Sequence, residues 1–312
     1  MMHLLFCAND AYVPHVATTL ASIFENNNDI PFCVHLLTTY ISEQNSGKLV
    51  SFVNKYNHII DIKTVNPNDF DIDESVCGKW GIFPSLKLYA ADLFSDVDRL
   101  LYVDADMICL GSLQALLDIN LDNTNYYASM VTDDEASINH KHRLGLNENV
   151  FYGCAGLVYL NLEKWRRDKI REKCMTYFND PKNRHTILFG EQDVMNVVLQ
   201  GNIRELPIEY NMMSMYWKHY DNRVPAKYKQ TIQKHRKEAI IIHYIGDVKP
   251  WHKDCHFPLK KYYWKYHSIT PWRHEKYGYS PEYKGFWVNT KESIHHYLHR
   301  LGIECYFFGY DC

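Results

Sequence analysis

Asp104-Ala105-Asp106 sets two carboxylates one residue apart at the end of the apolar run Leu100-Leu101-Tyr102-Val103. On a backbone that is leaving a strand, both side chains can turn toward one hard cation, which takes oxygen ligands. Two solvated loop acids would look the same, so the motif alone leaves both readings open. Two further stretches carry groups able to complete a site. Glu191-Gln192-Asp193 opens a segment with an apolar body, where acids also suit a helix N-terminus through the macrodipole. His243 sits inside the apolar run 240–245 and is followed by Gly246-Asp247-Val248-Lys249-Pro250-Trp251. A lone histidine in such a run serves equally as a satisfied core residue.

The elements that must position these groups follow from periodicity. Short apolar runs predict strands over 3–8, 31–38, 59–65, 100–103, 126–132, 152–160 and 240–245. Helical spacing predicts helices over 13–25, 42–56 (with Ser42 as N-cap), 86–94, 113–117, 162–178 and 191–199. Strands alternating with helices of this length imply right-handed βαβ units and a mostly parallel sheet, an α/β fold. In such sheets ligands bind outside the carboxyl ends of the strands, which is where Asp104 and Asp106 fall. Gly153 and Gly156 within 152–160 point to a close backbone approach. The stretch 66–83 breaks the rhythm, as an active-site loop or an ordinary surface connection.

The chain has 312 residues, 46% hydrophobic and 23% charged, which is ordinary globular composition. A net charge of -3 argues against nucleic acid as a partner. Nine cysteines without a C-x-x-C pair imply free thiols and a reducing, cytoplasmic setting. The start Met1-Met2-His3-Leu4-Leu5-Phe6-Cys7 lacks a basic region before its apolar run, unlike a secretory signal. No run of about 18 apolar residues is present to span a bilayer.

Taken in order, Asp104-Ala105-Asp106, Glu191-Gln192-Asp193 and His243-Tyr244-Ile245-Gly246-Asp247-Val248-Lys249-Pro250-Trp251 form one pattern. It resembles glycosyltransferase family 8, and within it the bacterial lipooligosaccharide and lipopolysaccharide α-galactosyl- and glucosyltransferases. The resemblance runs to about Cys255 and includes Ala155-Gly156 and 161–167. It implies a GT-A fold, a Rossmann-like sheet flanked by helices, and a retaining transfer of glucose or galactose from a UDP-sugar to a glycan acceptor. It also implies Mn2+, with Mg2+ as the alternative ion, held by Asp104, Asp106 and His243.

By the same resemblance, Lys249 and Gly246 hold the diphosphate and Ala105 lines the donor site. Cys7, Ala8, Asn9, Asp10 and Tyr12 form the loop at the uracil. Gln192 lies beneath the anomeric carbon, flanked by Glu191 and Asp193 as further catalytic candidates, and Asp133 lies near the acceptor. The pattern departs from the family at four of these positions: Lys87 replaces an arginine, Glu191 an aspartate, Cys154 an asparagine and Asn9 an aspartate. Neutral imidazole is the ligand form of His243, so activity is expected to fall at acid pH. The acceptor pocket is expected in the loops 66–83 and 134–150.

Residues 249–312 carry ten Lys/Arg against six Asp/Glu, with Trp251, Trp264, Trp272 and Trp287. They read as a C-terminal appendage (255–312) to a catalytic domain (1–254). Basic and aromatic residues suit peripheral contact with an anionic membrane, and equally suit aromatics packed on the domain. The non-catalytic alternative is a sugar-nucleotide-binding protein of the same fold. An aspartyl-phosphate phosphatase fits poorly, because three predicted strands precede the motif and Met107 follows it.

Overall fold

The structure is a computed structural model that describes residues 1–119, 121, 126–133, 137–217, 223–281 and 283. In chain order the regular elements are β1 (Met2–Cys7), α1 (Val13–Glu25), β2 (Phe32–Thr38), α2 (Glu43–Lys55), β3 (Ile59–Thr64), α3 (Ala90–Leu93) and β4 (Arg99–Val103). There follow β5 (Met107–Cys109), α4 (Gln114–Leu117), β6 (Ala128–Thr132), α5 (Ser137–Arg143), β7 (Gly153–Asn161), α6 (Leu162–Arg167) and α7 (Ile170–Asn179). The last are α8 (Glu191–Val198), β8 (Ile203–Leu206), β9 (Met212–Met213), α9 (Ile232–Lys237), β10 (Ile241–His243) and α10 (Lys260–His267).

Seven strands form one sheet in the order β3-β2-β1-β4-β7-β6-β8. All pairings are parallel except those of β7, which runs against both β4 and β6. The α/β, mostly parallel expectation is therefore met. Alternation along the strands divides the core in two. Leu4, Phe6, Val34, Leu36, Leu101 and Val103 face α1 and α2, whereas Leu5, Leu37, Leu100, Tyr102 and Val158 pack with Trp165, Cys174 and Met195 on the other side. β2 and β7 are buried along their whole length, while edge strand β3 is half exposed.

Two predicted helices differ from the structure. Residues 83–89 wind as a 3-10 helix entered at Pro84, and only Ala90–Leu93 is α-helical. The expected helix over 162–178 is two, α6 and α7, because Lys169 adopts φ 51°, a left-handed conformation that no helix interior accepts. The break leaves Arg166 free to donate to the carbonyls of Phe94 and Val97 just beyond α3, at 3.2 and 3.0 Å. Arg166 thus caps a neighbouring helix.

A second sheet, β5-β10-β9, does the positioning. β10 runs antiparallel to β5, with His243 opposite Met107, and parallel to β9, with His243 beside Met213. α1 is buried on almost every face because α10 covers the side turned away from the sheet. Tyr263, Tyr266 and Trp272, from the expected appendage, are buried in that core. The rest of the appendage, 284–312 with Trp287, lies outside the described residues, as do 134–136 of the expected acceptor loops. Among the described residues no helix is long and apolar enough to cross a membrane.

Candidate active site

β4 ends at Val103, and the chain then turns through Asp104-Ala105-Asp106 into β5. Asp104 is anchored by its own N–H, which donates to the Gly156 carbonyl at 2.9 Å, and by Tyr102, whose hydroxyl donates to Oδ1 at 2.6 Å. Register with β5 then carries His243 to the two carboxylates. Its Nε2 lies 3.7 Å from Asp104 Oδ2 and 3.3 Å from Asp106 Oδ1. The N–H of Tyr244 donates to the Asp106 carbonyl, closing the turn. Asn211, just before β9, meets His243 Nδ1 through Oδ1 at 2.9 Å, which fixes that nitrogen as the protonated one and aims Nε2 at the acids.

One ligand atom from each of Asp104, Asp106 and His243 falls within 4.8 Å of the others. Two further observations test whether these residues fit a cation. Asp106 Oδ1 is buried and makes no well-aligned hydrogen bond, its one charged neighbour being His243 Nε2 at 3.3 Å, so it is open to a cation once that imidazole is neutral. Gly156 faces the cluster, and a Cβ there would stand 2.5 Å from His243 Cε1 and 2.8 Å from Asp104 Oδ2. Bare backbone is needed to leave the three ligands their room. The donor set, two oxygens and one imidazole, suits a divalent ion of the Mn2+ type.

The electrostatics agree. Loss of solvation raises the Asp104 carboxyl, with Lys87 acting against it and Asp106 adding to it. Desolvation pushes Asp106 the same way, but Lys249 and His243 together hold it well below the usual carboxylate range. Burial alone would depress His243; Asp106, with a smaller part from Cys154, overrides that and holds it up to about 10. Without an ion the imidazolium and the Lys249 ammonium, 2.5 Å from Asp106 Oδ2, supply the positive charge. Lys249 reaches this point because Gly246, at φ 91°, reverses the chain in a conformation that favours glycine.

The remaining candidate residues of the site come from α8. Glu191 Oε1 accepts from Lys87 Nζ at 2.9 Å, and Lys87, 1% exposed, also donates to the Ala155 carbonyl and lies 3.7 Å from the Tyr102 ring centre. Two departures from the family pattern, Lys87 and Glu191, are thus partners of each other. Gln192 accepts from the Ala155 N–H at 3.0 Å and donates to Asp133 Oδ2 at 2.9 Å and to the Tyr152 hydroxyl at 3.1 Å. Cys154 is buried next to His243.

Asp193 stands differently from its neighbours. Its carboxylate accepts from both nitrogens of Arg143, from the Tyr152 hydroxyl, and from the N–H groups of Leu188 and Phe189. Fully buried and so enclosed, it acts as a brace between α5, α8 and the segment before it. Asp193→Ala is therefore expected to cost about 3 kcal/mol of stability by leaving Arg143 and Tyr152 unpaired. Urea unfolding followed by circular dichroism checks this, and a midpoint equal to wild type would contradict it.

In the first loop Asn9 turns back to accept from the Tyr12 N–H, and Asp10 Oδ1 accepts from the Ser42 N–H, the Ser42 hydroxyl and Asn45 Nδ2. Both side chains are therefore engaged in bracing the loop and the start of α2. Tyr12, 40% exposed, stands edge-on to the buried Trp251, which stacks on His15 at 3.6 Å. Cys7 ends β1 and Ala8 follows it into this loop, and Ala105 is held through its carbonyl by Thr19.

Sequence reasoning missed Asn211, Tyr152 and Arg143. Only Tyr102 carried a signal, since a strand residue two before Asp104 shares its face.

The model of the family described as Glycosyl transferase family 8 matches residues 3–255. Lipopolysaccharide 1,2-glucosyltransferase of Escherichia coli is 27% identical over 273 residues, covering 86% of this chain and 78% of its own length. Lipopolysaccharide 1,3-galactosyltransferase of Salmonella typhimurium is 26% identical over 82% of this chain and 74% of its own. The crystal structure of galactosyltransferase LgtC in complex with donor and acceptor sugar analogues aligns with a TM-score of 0.73 at 23% identity, over 87% of this chain and 99% of its own. With the sheet order above, that likeness establishes the GT-A fold. The match across nearly all of the described catalytic core decides the assignment: this chain is a glycosyltransferase and belongs to glycosyltransferase family 8.

Proposed function

We propose that this protein moves glucose or galactose from a UDP-sugar to a glycan acceptor of the lipopolysaccharide or lipooligosaccharide type, with retention of anomeric configuration and with Mn2+ bound by Asp104, Asp106 and His243. The observation that carries the reading is the meeting of those three ligands beside Lys249, with a buried Asp106 oxygen turned to His243 Nε2 at 3.3 Å. The names of the two relatives, one a glucosyl- and one a galactosyltransferase, support a hexose and a surface-glycan acceptor.

When bound, the ion supplies charge neutralisation for the departing diphosphate. Lys249, its ammonium held at the Tyr244 carbonyl and Asp106, adds a donor for a phosphate oxygen. Gly246 leaves the backbone bare where the diphosphate approaches. The bond between the anomeric carbon and the phosphate oxygen breaks, the acceptor oxygen bonds to that carbon on the same face, and the acceptor's proton passes to the departing phosphate oxygen.

Two features favour this path over a covalent glycosyl-enzyme, which needs an open carboxylate. Asp193 is occupied by five donors, and Glu191 is paired with Lys87. Gln192, an amide held by three hydrogen bonds, offers the remaining lone pair of Oε1 to the positive charge that develops on the sugar. Gln192→Ala is expected to lower kcat about 10²-fold with KM for the donor nearly unchanged. Steady-state kinetics read this, and a KM effect alone would contradict it.

The free thiols of the described cysteines support a reducing, cytoplasmic setting. With Tyr263, Tyr266 and Trp272 buried, the membrane-surface reading rests on the basic surplus after Lys249. Vesicle sedimentation unaffected by deleting residues 267–312 would end that reading.

The proposed function is tested by incubating the protein with Mn2+ and each of UDP-glucose and UDP-galactose, reading UDP release and then the product anomer by NMR. Release from one of them, with the α configuration kept, is expected. No release from either would refute the donor assignment.

A further inference from the structure

His3 and His35 on adjacent parallel strands, together with Cys33, converge away from the active site. The register of β1 and β2 sets His3 beside Cys33 and Leu5 beside His35. Residues two apart on a strand share a face, so all three side chains leave the sheet on one side, the side of Leu5 and Leu37. His3 Nδ1 lies 3.0 Å from His35 Nε2, and Cys33 Sγ lies 3.6 Å from that same nitrogen. One ligand atom from each falls within 4.8 Å of the others.

These separations match the edges of a small coordination polyhedron. With metal–nitrogen bonds of about 2.05 Å and a metal–sulfur bond of about 2.3 Å, a tetrahedral ion spaces its N and S ligands about 3.6 Å apart and two N ligands about 3.3 Å. On the far side of the ring, His35 Nδ1 donates to Asp61 Oδ2 at 3.4 Å. That contact leaves Nε2 as the bare nitrogen, as in the carboxylate–histidine–metal arrangement. Two acids, Asp61 and Asp96, act on the cluster against two cations, Lys63 and the Met1 ammonium, so the donor set rather than the local field selects a cation. Cys33 and His35 are buried while His3 is half-buried, which leaves an approach from solvent and a fourth position for water.

We propose that His3, Cys33 and His35 bind one Zn2+-class cation, with Asp61 orienting His35. Two imidazoles and a thiolate select Zn2+ over the oxygen-preferring Mn2+ and Mg2+. Burial keeps both imidazoles neutral, the ligand form, and the thiol gives up its proton as the sulfur–metal bond forms. The site lies at the opening end of β1, about 13 Å along the strand from Cys7 at its close. It ties β1 to β2 and, through Asp61, to β3, and it is independent of the transferase reading.

The test is a titration of the metal-stripped full chain, in reducing buffer, with Co2+ and then Zn2+. Expected is sulfur-to-cobalt charge-transfer absorption saturating at one equivalent and lost on adding Zn2+. The band persists in Asp106→Ala and in Cys154→Ser, which remove the oxygen-rich cluster and the thiol beside it, and disappears in Cys33→Ser. Asp61→Asn weakens Co2+ binding about tenfold or more. His3→Gln, at the half-buried position, carries the test should Cys33→Ser fail to fold, and is expected to lose the saturable band. Absence of the band in the unmodified protein, or its survival in Cys33→Ser or in folded His3→Gln, would show that the three groups form only a hydrogen-bonded cluster.

Discussion

Asp106→Ala is expected to lower nucleotide release about 10³-fold while the protein stays folded, because it removes a ligand and the electrostatic clamp at once. Asp106 is the point where the site's charges meet. Oδ1 faces His243, Oδ2 takes Lys249, and its backbone carbonyl holds the Tyr244 N–H. Only the backbone contact survives the substitution, and it keeps β5 and β10 in register. The fold is expected to persist because crowding with Asp104 is relieved even as two cations lose their partner. Circular dichroism together with UDP release separates the effects. Activity within tenfold of wild type in a folded variant would remove Asp106 from the site.

Gly156→Ala is expected to weaken Mn2+ binding by 10- to 100-fold, about the loss seen when a metal's supporting shell is disturbed, and to lower activity in step. The added Cβ would stand 2.5 Å from His243 Cε1, 2.8 Å from Asp104 Oδ2 and 3.0 Å from Met107 Cε. His243 cannot retreat easily, since Asn211 holds Nδ1 and the neighbouring strands hold its backbone. Asp104 is held by Tyr102 and by the Gly156 carbonyl itself. Overpacking also costs about 1–3 kcal/mol.

Gly153→Ala separates the two consequences. A Cβ there meets Met130 Cβ and Phe151 Cε1, each at 2.8 Å, so it strains the same strand without touching the metal ligands. Equal loss of stability, with Mn2+ affinity lost only in Gly156→Ala, is the expected pattern in calorimetric titration. Equal Mn2+ affinity in both variants would show that Gly156 serves packing alone.

The parts of this site that could be read from the sequence are those written locally. A strand's apolar run ending in Asp104 and Asp106, a histidine in a second run, and the glycine and lysine that follow it all keep a fixed spacing along the chain. The sheet was legible for the same reason, since short apolar runs alternating with helical periods leave few topologies. What could not be read depends on contacts between distant segments. Asn211 gains its role only because β9 pairs with β10, and no pattern around it marks a polar group that orients His243. Lys87 and Glu191 each look like a departure in isolation; the fold makes them a pair. The break at Lys169 escaped helical periodicity because a single left-handed residue leaves the apolar spacing on both sides intact.

The central claim, that Asp104, Asp106 and His243 hold one divalent ion for the donor's diphosphate, is tested most directly by anomalous scattering at the manganese edge from a crystal soaked with Mn2+ and UDP. The expected result is a single strong peak at coordination distance from Asp104, Asp106 and His243 Nε2, with UDP phosphate oxygens completing its shell and Lys249 in contact with them. UDP bound with no peak at this cluster, or a peak coordinated by other residues, would contradict it.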